Sequence, residues 1–148
     1  MKKGSSEGLL TCSSSSETKT LKKALEKATE WVLMSYGVVV YFEEEGNWFV
    51  PTPHEELKEL DYCFGVIEID KSQALFLQLC SLLHECGHAK DYAERFFNNL
   101  TRVPDRVHHE QKAWEHGEEI ALELGVLINK QEWDDYKNAC VSLYTETT

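Results

Sequence analysis

The feature that most constrains this chain is a long run of helical spacing, from Ser72 to about Phe97, that carries two histidines four residues apart. Leu75, Leu77, Leu79, Leu82, Leu83 and Cys86 give the run its apolar pattern, and Asn98, Asn99 and Pro104 break it. Inside it stands His84-Glu85-Cys86-Gly87-His88, an HExxH segment. On a helix this spacing projects both imidazoles from one face, where together they can grip one metal ion. Leu82 and Leu83 anchor the segment in a core. Gly87, just before the second histidine, carries no side chain to obstruct a metal.

Two imidazoles and a carboxylate suit zinc, which accepts nitrogen and oxygen donors in tetrahedral geometry and keeps one position for water at a catalytic site. Glu85 lies beside the histidines and is expected to act as general base, taking the water's proton and passing it to a leaving amine. A third protein ligand is required. A histidine ten positions after His84 would make a metzincin, but that position is Glu94, and Asp91 stands where the chain-turning glycine belongs. The remaining solution is a glutamate on a following helix. Glu110 comes 22 residues after His88, which leaves room for a helix end, the Pro104 loop and entry into the next helix. Ala113 is small enough to let that helix approach closely. Glu115 is the rival, with Glu118 and Glu119 weaker, since most acids on a helix simply face solvent.

The rest of the chain reads as an α+β domain. Residues 1–19, with Ser13-Ser14-Ser15-Ser16, are expected to be a flexible tail, and residues 20–148 the folded domain. A helix is predicted from Leu21 to about Tyr36, ended by Gly37. Three short strands follow at Val38–Phe42, Trp48–Val50 and Phe64–Asp70, with Pro51 and Pro53 stopping the second. After the HExxH helix, further helices are predicted over about His108–Leu124 and Lys130–Tyr144.

Charge narrows the partners. Twenty-six acidic against 15 basic residues give a net charge of -11. Such a surface repels phosphate backbones and anionic lipid, so nucleic acid and membrane are excluded as expected partners, leaving a protein or peptide. No apolar run approaches the roughly 18 residues that span a bilayer. The five cysteines, odd in number and without CxxC spacing, read as reduced thiols. A cytoplasmic protein is the expectation.

Taken together, Gly65–Asp70, the helix Ala74–His88 and the later Glu110-x-x-Ala113-Trp114 resemble the ImmA/IrrE-like zincins, a group of small phage and mobile-element metallopeptidases. The similarity spans roughly residues 20–128. It implies a minimal zincin-like domain, with an N-terminal helix, a small three-stranded sheet, an active-site helix, a glutamate helix and a C-terminal helix. It also implies a gluzincin site, with His84, His88 and Glu110 holding zinc and Glu85 as base. In such zincins an edge strand beside the active helix receives substrate, here expected at residues 65–70.

One departure stands out. Thermolysin-like enzymes place an aspartate four residues after the glutamate ligand to orient a histidine, and this chain has Trp114 there. An indole donates only, so the acceptor must lie elsewhere, with Asp91 the nearest candidate. His108, His109 and Tyr92 are the candidate oxyanion donors. Cys86, Trp31, Trp48 and Trp133 read as packing residues. Two other functions compete with a peptidase: a zincin-fold regulator that acts by occupying a partner, and a metal hydrolase of non-peptide amides.

Overall fold

The computed structural model describes residues 12–98 and 106–146. The order is α1 (Cys12–Tyr36), β1 (Val39–Glu43), β2 (Trp48–Pro51), a single 3-10 turn at His54–Glu56, β3 (Gly65–Asp70), α2 (Leu75–Phe97), α3 (Arg106–Leu124) and α4 (Lys130–Glu146). Four helices and one three-stranded sheet make an α+β fold. The first helix starts at Cys12, so it covers part of the stretch expected to be a tail, while residues 1–11 lie outside the described residues. No helix is long and apolar enough to cross a membrane among the described residues.

Helix α1 buries one stripe, Ala24, Leu25, Ala28 and Val32, at the spacing of successive turns. Gly37 ends it at φ 64°, a backbone region that L side chains seldom enter. Its N–H reaches Leu33 O at 2.9 Å, and Val38 N–H reaches back to Val32 O at 3.3 Å, so the last carbonyls are satisfied.

The sheet order is β1-β3-β2, with β3 in the middle. It pairs parallel to β1 (Val39 with Val66 through Glu43 with Asp70) and antiparallel to β2 (Trp48 with Glu68 through Pro51 with Gly65). The chain thus leaves β1, crosses over the end of the later β3, and returns as β2. Asn47 fastens this crossing, because its side-chain oxygen accepts from Asp70 N–H at 2.8 Å, while Lys71 N–H donates to Glu43 O at 2.7 Å. The order overturns one expectation. With both edges of residues 65–70 already paired, they cannot take up an added strand. Among the described residues, the free edges belong to β1 and β2.

Ile67 and Ile69, on one face of β3, are fully buried. They join a core with Val32, Leu79, Leu82, Leu83, Ile120 and Trp114. Helix α2 is buried on every side along its middle, from Gln78 to Gly87, which sets it apart from an ordinary surface helix with one apolar stripe. Its polar members are therefore committed to internal partners. Gln78, for example, donates to Lys71 O and Gln73 O at 3.1 and 2.8 Å.

The contact that brings α3 onto α2 runs through Gly87. A Cβ at that position would lie 2.0 Å from Ala113 O and 2.8 Å from Ala113 C, closer than any side chain tolerates. From its place before His88, Gly87 is expected to clear space for a metal. The structure assigns it to helix packing: its missing side chain admits the backbone of α3. Ala113 is fully buried at the same crossing.

Candidate metal centre

One turn apart on α2, His84 and His88 face the start of α3. Glu110, in the opening turns of α3, sets its carboxylate between them. Oε1 lies 2.9 Å from His84 Nε2 and Oε2 lies 3.1 Å from His88 Nε2. One donor atom from each of the three falls within 4.8 Å of the others. Zinc bonds of about 2.0–2.2 Å in a tetrahedron hold donor atoms roughly 3.3–3.5 Å apart, so this set fits such an ion after small adjustments. Glu115, Glu118 and Glu119 sit elsewhere: Glu115 faces Lys112 at 3.9 Å, Glu118 meets Lys130 at 2.9 Å, and Glu119 meets His116 at 2.9 Å.

Burial sets the electrostatics. His84 and Glu85 are each only 6% exposed. Desolvation holds the His84 imidazolium below its ordinary range, which favours the neutral ring that a metal requires. Burial alone would lower His88 and raise Glu110. Their mutual hydrogen bonds and charges outweigh it, lifting His88 and holding Glu110 well below the usual carboxylate range. At Glu85 burial wins. Its burial, reinforced by the charge of Glu110 and opposed by His88, pushes its carboxyl up to about 7. A group that titrates near neutrality can both accept and release a proton.

The role of Trp114 becomes clear from its geometry. Its ring stacks on His84 with centroids 4.1 Å apart and planes 29° from parallel, and it is 1% exposed. Where thermolysin-like sites hold the imidazole by a hydrogen bond, this chain clamps the ring face by contact. In the sequence Trp114 belongs to the segment that carries the resemblance and stands where an acceptor is missing, but its stacking is not legible there, because it depends on how α3 crosses α2.

Asp91 also departs from expectation. It was the candidate acceptor for a ligating histidine, but its Oδ2 accepts from Arg95 Nε at 3.0 Å and from His109 Nδ1 at 3.1 Å. Burial alone would raise this carboxyl, yet the hydrogen bonds from Arg95 and His109 hold it below the ordinary aspartate range. Its contribution to stability is therefore present at neutral pH and lost as pH falls through and below about 4. Asp91→Asn should destabilise the fold by about 1.5–3 kcal/mol at pH 7, the range for charged hydrogen bonds. Urea unfolding at pH 7 and pH 3 checks this, with the difference between variant and parent shrinking at the lower pH. An undiminished difference at pH 3 would contradict the assignment.

These groups border a cleft of about 410 Å³, lined also by Trp48, Phe49 and Pro51 of β2 and by His54 and Tyr92. Trp48, expected in the core, is an exposed wall of this cleft. Of the three candidate oxyanion donors, Tyr92 gives its hydroxyl to Thr52 O. His108 is not among the residues lining the cleft, whereas His109 is. No protein family, curated protein or solved structure matched the chain when it was compared with each.

Proposed function

We propose that this chain is a zinc-dependent peptidase of the gluzincin kind, resembling the ImmA/IrrE-like zincins. The observation that carries the reading is the meeting of His84, His88 and Glu110 within 4.8 Å, beside the buried Glu85, in one open cleft. His84, His88 and Glu110 would hold the ion. Zinc bound there supplies Lewis acidity, lowering the pKa of a water to about 7 and polarising a carbonyl.

The chain's own residues do the rest. Glu85 receives the proton of the attacking water and delivers it to the departing amine, a task suited to a carboxyl titrating near neutrality. His109, its Nδ1 held by Asp91, is the cleft's candidate donor to the carbonyl oxygen through Nε2 when the ring carries both protons. The free edge of β2 offers main-chain groups to an extended polypeptide running along the cleft wall. The substrate is accordingly a protein or peptide, and the free thiols Cys63, Cys80, Cys86 and Cys140 fit action in the reducing cytoplasm.

Glu85→Gln separates this reading from its rival. Both proteins should bind about one zinc per chain by elemental analysis. Cleavage of a peptide library, followed by mass spectrometry, should fall by about 10²–10⁴-fold in the variant. Undiminished cleavage would defeat the proposal. The rival reading, a regulator that acts by occupying a partner, draws support from the exposed sheet residues Val39, Tyr41, Trp48 and Val50. It requires that the biological effect survive Glu85→Gln.

A further inference from the structure

Behind the metal-binding face, a second, smaller recess of about 120 Å³ lies between α2 and α4. Its walls include Ser81, His84, Glu85, Trp114, Tyr136 and Cys140. The two cavities share Asn47, His84 and Glu85, so the imidazole forms part of the partition between them. His84 Nε2 belongs to the metal side, where it meets Glu110 at 2.9 Å. The opposite ring nitrogen, Nδ1, is buried and has no hydrogen-bond partner among the described residues.

A buried ring nitrogen without a partner is costly, and ordered water is a common way of satisfying one. The recess suits water on both counts that matter. It is roomier than the roughly 10–15 Å³ one molecule needs, and it is polar. Ser81 Oγ and Tyr136 Oη lie 2.8 Å apart on its wall, and Gln73 Nε2 donates to Tyr136 Oη at 3.3 Å. Ser81 precedes His84 by three residues on the same helix, which puts the two side chains on one face.

We propose that Tyr136 and Ser81 are positioning residues, which hold a water against His84 Nδ1 and so fix the imidazole in its ligating orientation. The inference rests on the metal reading of His84. Water suits this place better than a fixed acceptor. When His84 Nε2 donates to the Glu110 carboxylate, Nδ1 must accept; when Nε2 binds a metal, Nδ1 must donate. A water held by two hydroxyls does either, whereas a carboxylate only accepts and Trp114 only donates. Helix α4, which contributed little to the sequence resemblance, thereby becomes part of the metal site.

The test uses the full chain and its Tyr136→Phe and Ser81→Ala variants, each of which removes one hydroxyl. Zinc affinity is measured by competition with a chromophoric chelator. Tyr136→Phe should weaken it by about 10-fold, the lower end of the cost of removing a group that orients a ligand. Ser81→Ala should act in the same direction. NMR supplies a readout that a packing role would not move: a cross-peak between water and the His84 ring, present in the parent and lost in both variants, with the rest of the spectrum unchanged. Equal zinc affinity in all three proteins, or a parent without the cross-peak, overturns the inference. The cross-peak is recorded on metal-free protein as well. A parent that binds no zinc therefore overturns the metal reading itself, and is told apart from a failure of the recess alone.

Discussion

Gly87→Ala is expected to lower the thermal midpoint by roughly 5–10 °C, corresponding to about 2–3 kcal/mol. The sign of this effect is informative. Helix propensity alone predicts the reverse, since alanine is favoured over glycine inside a helix by about 1 kcal/mol. At Gly87 that gain is overridden, because the new Cβ would lie 2.0 Å from Ala113 O, a backbone atom that moves only if α3 moves. Glu110 lies three residues before Ala113 on the same helix. Pushing α3 outward therefore draws its carboxylate away from His84 and His88, and zinc affinity should fall together with stability. Calorimetry and chelator competition on the same sample check both. A midpoint equal to or above the parent's would show that the helices do not cross as described.

Glu110→Gln should weaken zinc binding by at least about 100-fold, since even groups one step removed from a metal cost 10–100-fold when altered. The amide keeps the size of the carboxylate and loses its charge, so the variant isolates the ligand from the packing of α3. Glu115→Gln is the matched control, on the same helix but 60% exposed in its side chain and facing Lys112. It should bind zinc within about two-fold of the parent, well short of the loss at a ligand-orienting group. Comparable losses in both variants would remove Glu110 from the site.

How much of this could be read beforehand differs by kind of feature. The helices and strands were legible because their signals are local. Val39–Glu43 is β-branched and aromatic, Gly37 closes α1 with a φ that glycine adopts freely, and Leu75–Phe97 keeps helical spacing for six turns. Strand order was not. The small sheet places the last strand between the first two, a decision made by which faces bury best against α2, and adjacent residues carry no trace of it. The expectation that residues 65–70 form a free edge failed for that reason.

The site shows the same division. The spacing of His84 and His88 on one helix, with Glu85 between them, is determined by the sequence alone, because helical geometry places residues four apart on a common face. Everything joining different elements awaited the tertiary structure. It set Glu110 rather than Glu115 against the imidazoles, stacked Trp114 on His84, and turned Asp91 toward His109 and Arg95. These contacts depend on the depth at which α3 settles onto α2, and that depth is controlled by a missing side chain at Gly87. A glycine within a helix reads, in sequence, as a weakness. Its value appears only when a second backbone occupies the space its side chain would have filled.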